Sequence, residues 1–193
     1  IGNLLEAVLE AADEERIAVQ AIQRGDAEVI VADDRVAHAK ATKDVVDALE
    51  NGSATLAAGT SWVWASERMK AAIDVLFVDE AGQMSLAYVA SMGHATDSIV
   101  LLGDPQQLDQ PQRGTHPPGA ERSALAHVLS GSATIAPDRG LFLERTWRLH
   151  PALCAFTSEV FYDDRLESEA HLAEQRVRTD AAPDHGDLDQ RAD

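Results

Sequence analysis

The chain has 193 residues, a formal net charge of -17 and one cysteine, Cys154, and 45% of its residues are hydrophobic, which is typical of a globular protein with room for one full core. The charge excludes a surface that attracts nucleic acid everywhere, and a lone cysteine excludes an internal disulfide or a thiolate metal cluster. No stretch reaches the roughly 18 apolar residues of a membrane span and no secretion signal is present, so the sequence predicts a cytoplasmic protein without a membrane partner.

The first forty residues contain one clear helix pattern. Its apolar face repeats every three or four residues, after an Asn3 that can cap the helix, and consists of Leu4, Leu5, Val8, Leu9 and Ala12. Residues 17–22 alternate as a strand would, although a continuation of the helix is nearly as well supported. Residues 28–32 predict another short strand, and residues 33–43 indicate no function. Because the chain starts inside a structured element, we expect it to be a fragment.

A helix and a strand precede a pair of tryptophans. Val45 to Leu49 predict a short helix that Asn51-Gly52 ends with a left-handed cap. Residues 54–58 then predict a strand that leads into Gly59-Thr60-Ser61-Trp62-Val63-Trp64. Tryptophans beyond a strand end can stack on bases, but large aromatic side chains are more often core residues. The residues alone favour the core interpretation.

Two adjacent carboxylates follow the most strand-like run of the chain. Residues 75–78 are Val, Leu, Phe and Val, a run that is typical of a strand buried on both faces. Asp79 and Glu80 come directly after it, at the carboxyl end, where open α/β sheets place their ligands. Capping of the next helix is an equally good interpretation of this stretch taken alone.

A second strand ends in polar residues a short distance further along. Residues 84–95 predict a helix and residues 98–102 a buried strand, which ends in Gly103-Asp104-Pro105-Gln106-Gln107-Leu108. Strand, helix and strand at this spacing indicate a parallel unit, so both polar ends should lie side by side at one edge of the sheet. Such an edge suits Mg-nucleotide chemistry: one acid holds the metal, its neighbour orients the attacking water, and a glutamine bridges phosphate and water. A tight turn is the alternative for residues 103–105 alone.

These residues resemble motifs of superfamily 1 helicases, especially the branch that moves 5′ to 3′. Asp79-Glu80-Ala81-Gly82-Gln83 resembles motif II and residues 103–108 resemble motif III. Further on, Leu143-Glu144-Arg145-Thr146-Trp147-Arg148-Leu149-His150-Pro151 resembles motif IV. The resemblance runs from about residue 1, the tail of motif Ia, to about residue 166. It implies an ATP-dependent enzyme that translocates on single-stranded nucleic acid and unwinds duplexes.

The resemblance assigns a role to each matching residue of motifs II and III. Asp79 would coordinate Mg²⁺, partly through water, and Glu80 would activate the hydrolytic water. Gln107 would be the catalytic sensor of the phosphate of ATP, and Gln83 and Asp104 would help to bind the nucleotide.

Three further residues receive roles outside motifs II and III. Arg148 would reach the γ-phosphate across an interdomain cleft as an arginine finger does; a solvated or carboxylate-paired arginine is the alternative. Residues 59–62 lie where motif Ic of the family contacts single-stranded nucleic acid, so Thr60 and Trp62 are candidate contacts. DNA is favoured over RNA as that partner.

The implied fold is α/β: an incomplete RecA-like P-loop NTPase, with a parallel sheet flanked by helices. Residues 1–140 would form the C-terminal part of a first motor domain, residues 141–179, starting with a strand at 141–143, would begin a second RecA-like domain, and residues 180–193 would be an acidic, disordered tail. The phosphate-binding sequence Gly-x-x-x-x-Gly-Lys-Ser/Thr is absent, as are motifs V and VI. Truncation explains these absences better than degeneration does.

The missing phosphate loop has two expected consequences. Its strand would lie beside residues 98–102, which are therefore expected to form an exposed hydrophobic edge, and the chain alone should hydrolyse no ATP. Two alternative functions stay open, namely a non-catalytic RecA-like binding module and a different P-loop NTPase. A fused or associated nuclease domain outside this chain also stays open.

Overall fold

The computed structural model describes residues 2–25, 31–107, 119–120 and 122–176. The chain forms two compact units, Ile1–Gly131 and Ser132–Asp193. The predicted tail at 180–193 lies outside the described residues, as does most of the predicted strand at 28–32. The described helices are all too short or too polar to cross a membrane.

The described part of the first unit contains five α-helices: α1 (Gly2–Glu14), α2 (Thr42–Glu50), α3 (Ser61–Trp64), α4 (Leu86–Ala90) and α5 (Ala124–Leu129). The predicted apolar face of α1 is confirmed, because its buried side chains are Leu5, Leu9 and Ala12. The helix already includes Asn3, so the prediction that Asn3 caps it is wrong. The predicted left-handed end of α2 is confirmed by Gly52, whose φ is +74°. Helix α4 is shorter than expected, and a 3₁₀ turn, Gly93–Ala95, follows it.

The described strands of the first unit form two separate parallel sheets. One sheet has the order β2-β1-β3 and is built from β1 (Ala21–Arg24), β2 (Val36–His38) and β3 (Leu56–Gly59). The other pairs β4 (Val75–Val78) with β5 (Ser98–Leu101), in the register Val78 to Leu101. The predicted parallel strand-helix-strand unit is therefore confirmed. The fold is mixed α/β with small parallel sheets.

One hydrophobic core connects the two sheets of this unit. It contains Ile22 from β1, Leu76 and Val78 from β4, and side chains from α2, α3 and α4. Its largest fully buried apolar side chains are Met69, Met92, Val45 and Val63. Burial of this apolar surface is the main term that holds the sheets together.

The prediction that β4 is buried on both faces is wrong. Leu76 and Val78 face the core, whereas Val75 is exposed and Phe77 is 60% exposed. Side chains alternate across a strand, and no described element covers the second face of β4. Strand β5 is exposed as well, with Ile99 and Val100 open to solvent, so the predicted burial of residues 98–102 is wrong and the expected exposed hydrophobic edge is confirmed.

The second unit is small and is built around helix α6 (Pro151–Phe161). It pairs β6 (Arg145–Thr146) with β7 (Glu167–Ser168) in parallel, and residues 141–143, which were predicted as a strand, are irregular. The Ser168 hydroxyl donates a hydrogen bond to the Leu149 carbonyl at 2.6 Å, which fixes the chain just before α6. Cys154 lies on the inner face of α6, and burial raises the pKa of its thiol.

An arginine fork connects α1 to the segment before β2. Arg35 pairs with Asp33 at 2.8 Å and with Asp13 at 2.7 Å. The pKa of Asp33 is lowered from 3.8 to about 2, mainly by hydrogen bonds from the guanidinium of Arg35. The folded state thus binds this proton less tightly than the unfolded state does, and the stabilisation from the ionised carboxylate is lost as the pH falls.

We therefore expect Asp33→Asn to lower the urea midpoint of unfolding at neutral pH. The difference from the unchanged protein should close as the pH falls through 3.8 towards about 2, because both states then carry a protonated Asp33. Tryptophan fluorescence in urea at several pH values measures this. Asp34→Asn is the matched control, since Asp34 is exposed and forms no described ion pair. A difference for Asp33→Asn that is as large at pH 2 as at neutral pH would contradict the assignment.

Candidate active site

The two predicted acids lie in an exposed turn that begins where β4 ends. Asp79 and Glu80 are both exposed, and Ala81 behind them is fully buried. The Asp79 carboxylate accepts a hydrogen bond from the Glu80 amide at 3.0 Å. Glu80 has a φ of +55°, a left-handed conformation that is unfavourable for a residue with a side chain. Such strain is often found at functional sites.

The turn after β5 lies directly against the turn after β4. The Ala81 amide donates to the Leu102 carbonyl at 2.8 Å, and the Leu102 amide donates to the Val78 carbonyl at 2.9 Å. A Cβ placed on Gly82 would lie 2.1 Å from the carbonyl oxygen of Asp104, so this position accepts only glycine. The predicted meeting of the two polar strand ends is confirmed.

Gln83 joins the two turns through its side chain. Its amide nitrogen donates to the Glu80 carboxylate at 3.3 Å and to the side-chain oxygen of Gln107 at 2.9 Å. An amide nitrogen has two hydrogens, so these bonds use both of them. Gln83 therefore links the side chains of Glu80 and Gln107, which the sequence alone did not indicate.

The oxygen atoms of this site fit a magnesium ion that is bound mainly through water and phosphate. Neither Asp79 nor Glu80 forms an ion pair with a described cation. Within the described ranges, no group of three His, Cys, Asp or Glu side chains could enclose a metal. Magnesium is commonly held by one or two carboxylates with water and substrate phosphates completing its octahedron. One exposed aspartate at a strand end suits that mode of binding.

Asp104 is part of the turn after β5. Its carboxylate accepts a hydrogen bond from the Gln106 amide at 2.9 Å, and its carbonyl accepts one from the Gln107 amide at 3.4 Å. These contacts show Asp104 shaping the turn that carries Gln107. Nucleotide binding by Asp104 stays a prediction.

The two tryptophans beyond β3 have different environments. Trp64 is buried and donates from its indole nitrogen to the Gly59 carbonyl at 3.2 Å, so the core interpretation is confirmed for it. Trp62 is 75% exposed, so for this residue the core interpretation is wrong. Thr60, just before α3, is also exposed. Both candidate nucleic-acid contacts are therefore accessible.

Two features near these residues were not predicted. The Ser61 hydroxyl donates to the Tyr88 hydroxyl at 2.6 Å, although the two residues are far apart in the chain and carry no shared motif. Arg24 ends β1 in register with Gly59, and its Nε is buried without a hydrogen-bond partner among the described residues. A guanidinium at this strand end gives the acidic molecule a local positive charge.

Arg148 belongs to the second unit. It is exposed, its amide donates to the Thr146 hydroxyl at 3.2 Å, and its carbonyl accepts from the Gln175 side chain at 3.3 Å. None of the described ion pairs includes its guanidinium, so the carboxylate-paired alternative is not observed. Its role as an arginine finger stays a prediction.

Comparison with known proteins gives one informative similarity. The chain is 28% identical over 96 residues, 48% of its length, to a mouse (Mus musculus) protein named 5′-3′ DNA helicase ZGRF1. The chain spans only 5% of that protein's length. No family model matches the chain. The similarity is weak support for a helicase relationship.

We expect Gly82→Ala to destabilise the first unit strongly. The new methyl group would overlap the Asp104 carbonyl, and forcing atoms into a packed site costs about 1–3 kcal/mol or more. Urea unfolding measures the effect. Gly93→Ala is the matched control, because no atom lies within 4 Å of a Cβ at that position. Equal stabilities for the two variants would show that the turns are not held together as described.

Proposed function

We propose that this chain is part of an ATP-dependent superfamily 1 helicase of the 5′-to-3′ type. The observation that carries the proposal is the hydrogen-bonded set Glu80, Gln83 and Gln107, which joins the motif II and motif III turns. The similarity to a protein named as a 5′-3′ DNA helicase supports the same class. In this proposal the first unit belongs to a RecA-like motor domain, and the second unit begins another.

The exposed acids would divide the chemistry of ATP hydrolysis. Asp79 would hold Mg²⁺, which neutralises charge on the phosphates when it is bound. Glu80 would orient the attacking water and accept its proton, as a carboxylate within hydrogen-bond reach can do. Its carboxylate is already oriented by Gln83, which reduces the reorganisation needed for the reaction.

Gln107 would sense the nucleotide. Its side-chain oxygen is engaged by Gln83, which leaves its amide nitrogen as the group that can donate to a phosphate oxygen or to water. A change at the phosphate would therefore reach Glu80 through one intervening side chain. Arg148 would act as the arginine finger that stabilises the charge on the γ-phosphate in the transition state.

Single-stranded DNA is the proposed nucleic-acid partner. Trp62 presents an exposed ring on which a base can stack, and such stacking contributes about 1–3 kcal/mol per base. With a net charge of -17 the contact has to be local, and Arg24 supplies one positive charge at the same strand ends.

A non-catalytic binding module is the second candidate, and the absence of a phosphate loop from the 193 residues favours it. Such a module gives no reason for Glu80 to keep a strained conformation or for Gln83 to orient it. The complete reading frame discriminates between the two candidates. A phosphate loop encoded upstream supports the motor, and an unrelated start supports the module.

We expect Glu80→Gln, in the polypeptide encoded by the complete reading frame, to reduce DNA-stimulated ATP hydrolysis by about 10²-fold or more, because general-base catalysis contributes about that much. Steady-state phosphate release measures the rate. Glu10→Gln is the control, because Glu10 is an exposed residue of α1. Equal turnover in the Glu80→Gln variant and the unchanged protein would refute the role of Glu80.

The 193-residue chain alone is expected to release no phosphate from ATP. It lacks the glycine-rich loop and lysine that cradle the phosphates. The same phosphate-release assay, with and without single-stranded DNA, tests this. Stimulated turnover that disappears in Glu80→Gln would show that the chain holds a complete site.

A further inference from the structure

The hydrogen bond between Ser61 and Tyr88 joins two elements on which the candidate site depends. Tyr88 is on α4, which follows the turn that carries Glu80 and Gln83. Ser61 begins α3, and the candidate nucleic-acid contacts Thr60 and Trp62 are its two neighbours in the chain. A bond that holds Ser61 therefore also restrains the backbone of both of them.

Helix α4 is anchored independently of this bond. The Ser85 hydroxyl accepts from the Tyr88 amide at 3.3 Å and caps the helix. The Leu86 amide donates to the Arg122 carbonyl at 2.8 Å, and the Met84 carbonyl accepts from the Ala124 amide at 2.8 Å. These bonds hold the start of α4 from two sides. The backbone of Tyr88 is thus held in place, and its hydroxyl can position α3.

Helix α3 depends on tertiary contacts for its position. It is four residues long, too short to be stable without tertiary contacts. Val63 and Trp64 anchor its inner side in the core, while Trp62 is open to solvent. On the exposed side, the hydrogen bond from the Ser61 hydroxyl to the Tyr88 hydroxyl holds the first residue of the helix.

We propose that Tyr88 is a positioning residue for single-stranded nucleic acid. Its hydroxyl holds Ser61, and through Ser61 it keeps Thr60 and Trp62 in the orientation that binds the strand. The residue itself stacks on no base. This inference rests on the proposed function, in which Thr60 and Trp62 are the contacts.

The test uses the polypeptide encoded by the complete reading frame. Binding of a fluorescein-labelled thymidine oligonucleotide to four variants is measured by fluorescence anisotropy. Tyr88→Phe removes only the hydroxyl and should weaken binding about two- to tenfold, the range for one hydrogen bond. Ser61→Ala should do the same, and combining the two should weaken binding no further. Trp62→Ala should weaken binding more, by about 5- to 100-fold.

Ser91→Ala is the control variant. Ser91 is exposed at the end of α4, and its hydroxyl donates to the Tyr88 carbonyl at 2.7 Å without reaching α3, so we expect unchanged binding. In ATPase assays, the oligonucleotide concentration for half-maximal stimulation should rise in Tyr88→Phe by the same factor as the dissociation constant. The maximal rate at saturating oligonucleotide should be retained, which a general loss of structure would not allow.

The outcomes separate this inference from the proposed function. If the unchanged protein binds no oligonucleotide, the nucleic-acid part of the proposed function fails and the inference fails with it. If the protein binds and Trp62→Ala weakens binding, but Tyr88→Phe behaves as Ser91→Ala does, the inference alone is wrong. A Tyr88→Phe variant with a lowered maximal rate as well as weakened binding would assign Tyr88 a general structural role and would also overturn the inference.

Discussion

The close approach of Gly82 to the Asp104 carbonyl is the constraint on which the candidate site depends. No side chain fits between these two backbone segments, so the turns after β4 and β5 meet directly. Backbone hydrogen bonds from Ala81 and Leu102 continue the pairing of the strands into the turns. The relative positions of the acids and Gln107 are therefore set by the backbone, and side-chain bonds such as those of Gln83 only refine them.

The strained conformation of Glu80 depends on this contact between the two turns. A left-handed residue with a side chain costs of the order of 1–3 kcal/mol, and glycine would avoid the cost. The Ala81 amide donates to the Leu102 carbonyl and the Gln83 amide donates to the Glu80 carbonyl, and these two bonds hold the turn closed in spite of that cost.

The sequence predicted the arrangement of the site better than it predicted burial. Parallel strands bring their carboxyl ends to one edge, so the meeting of the turns near Glu80 and Gln107 followed from the order of the elements alone. An apolar run looks the same whether one or two faces are covered, so the exposure of Phe77 could not be predicted. Trp62 and Trp64 likewise have the same side chain. Residues two apart on a helix point in different directions around its axis, and this direction alone decides which of the two is buried.

The negative charge of this site means that a cation would have to be present before a polyanion could bind. Asp79 and Glu80 are adjacent, exposed and not paired with any described cation, in a chain with a net charge of -17. Triphosphate next to two carboxylates would be repelled, and repulsion between surface charges is screened by salt only in part over such short distances. A divalent cation held by Asp79 would neutralise the charge of the two carboxylates and remove this repulsion. We therefore expect a nucleotide to bind at these acids only together with a divalent cation.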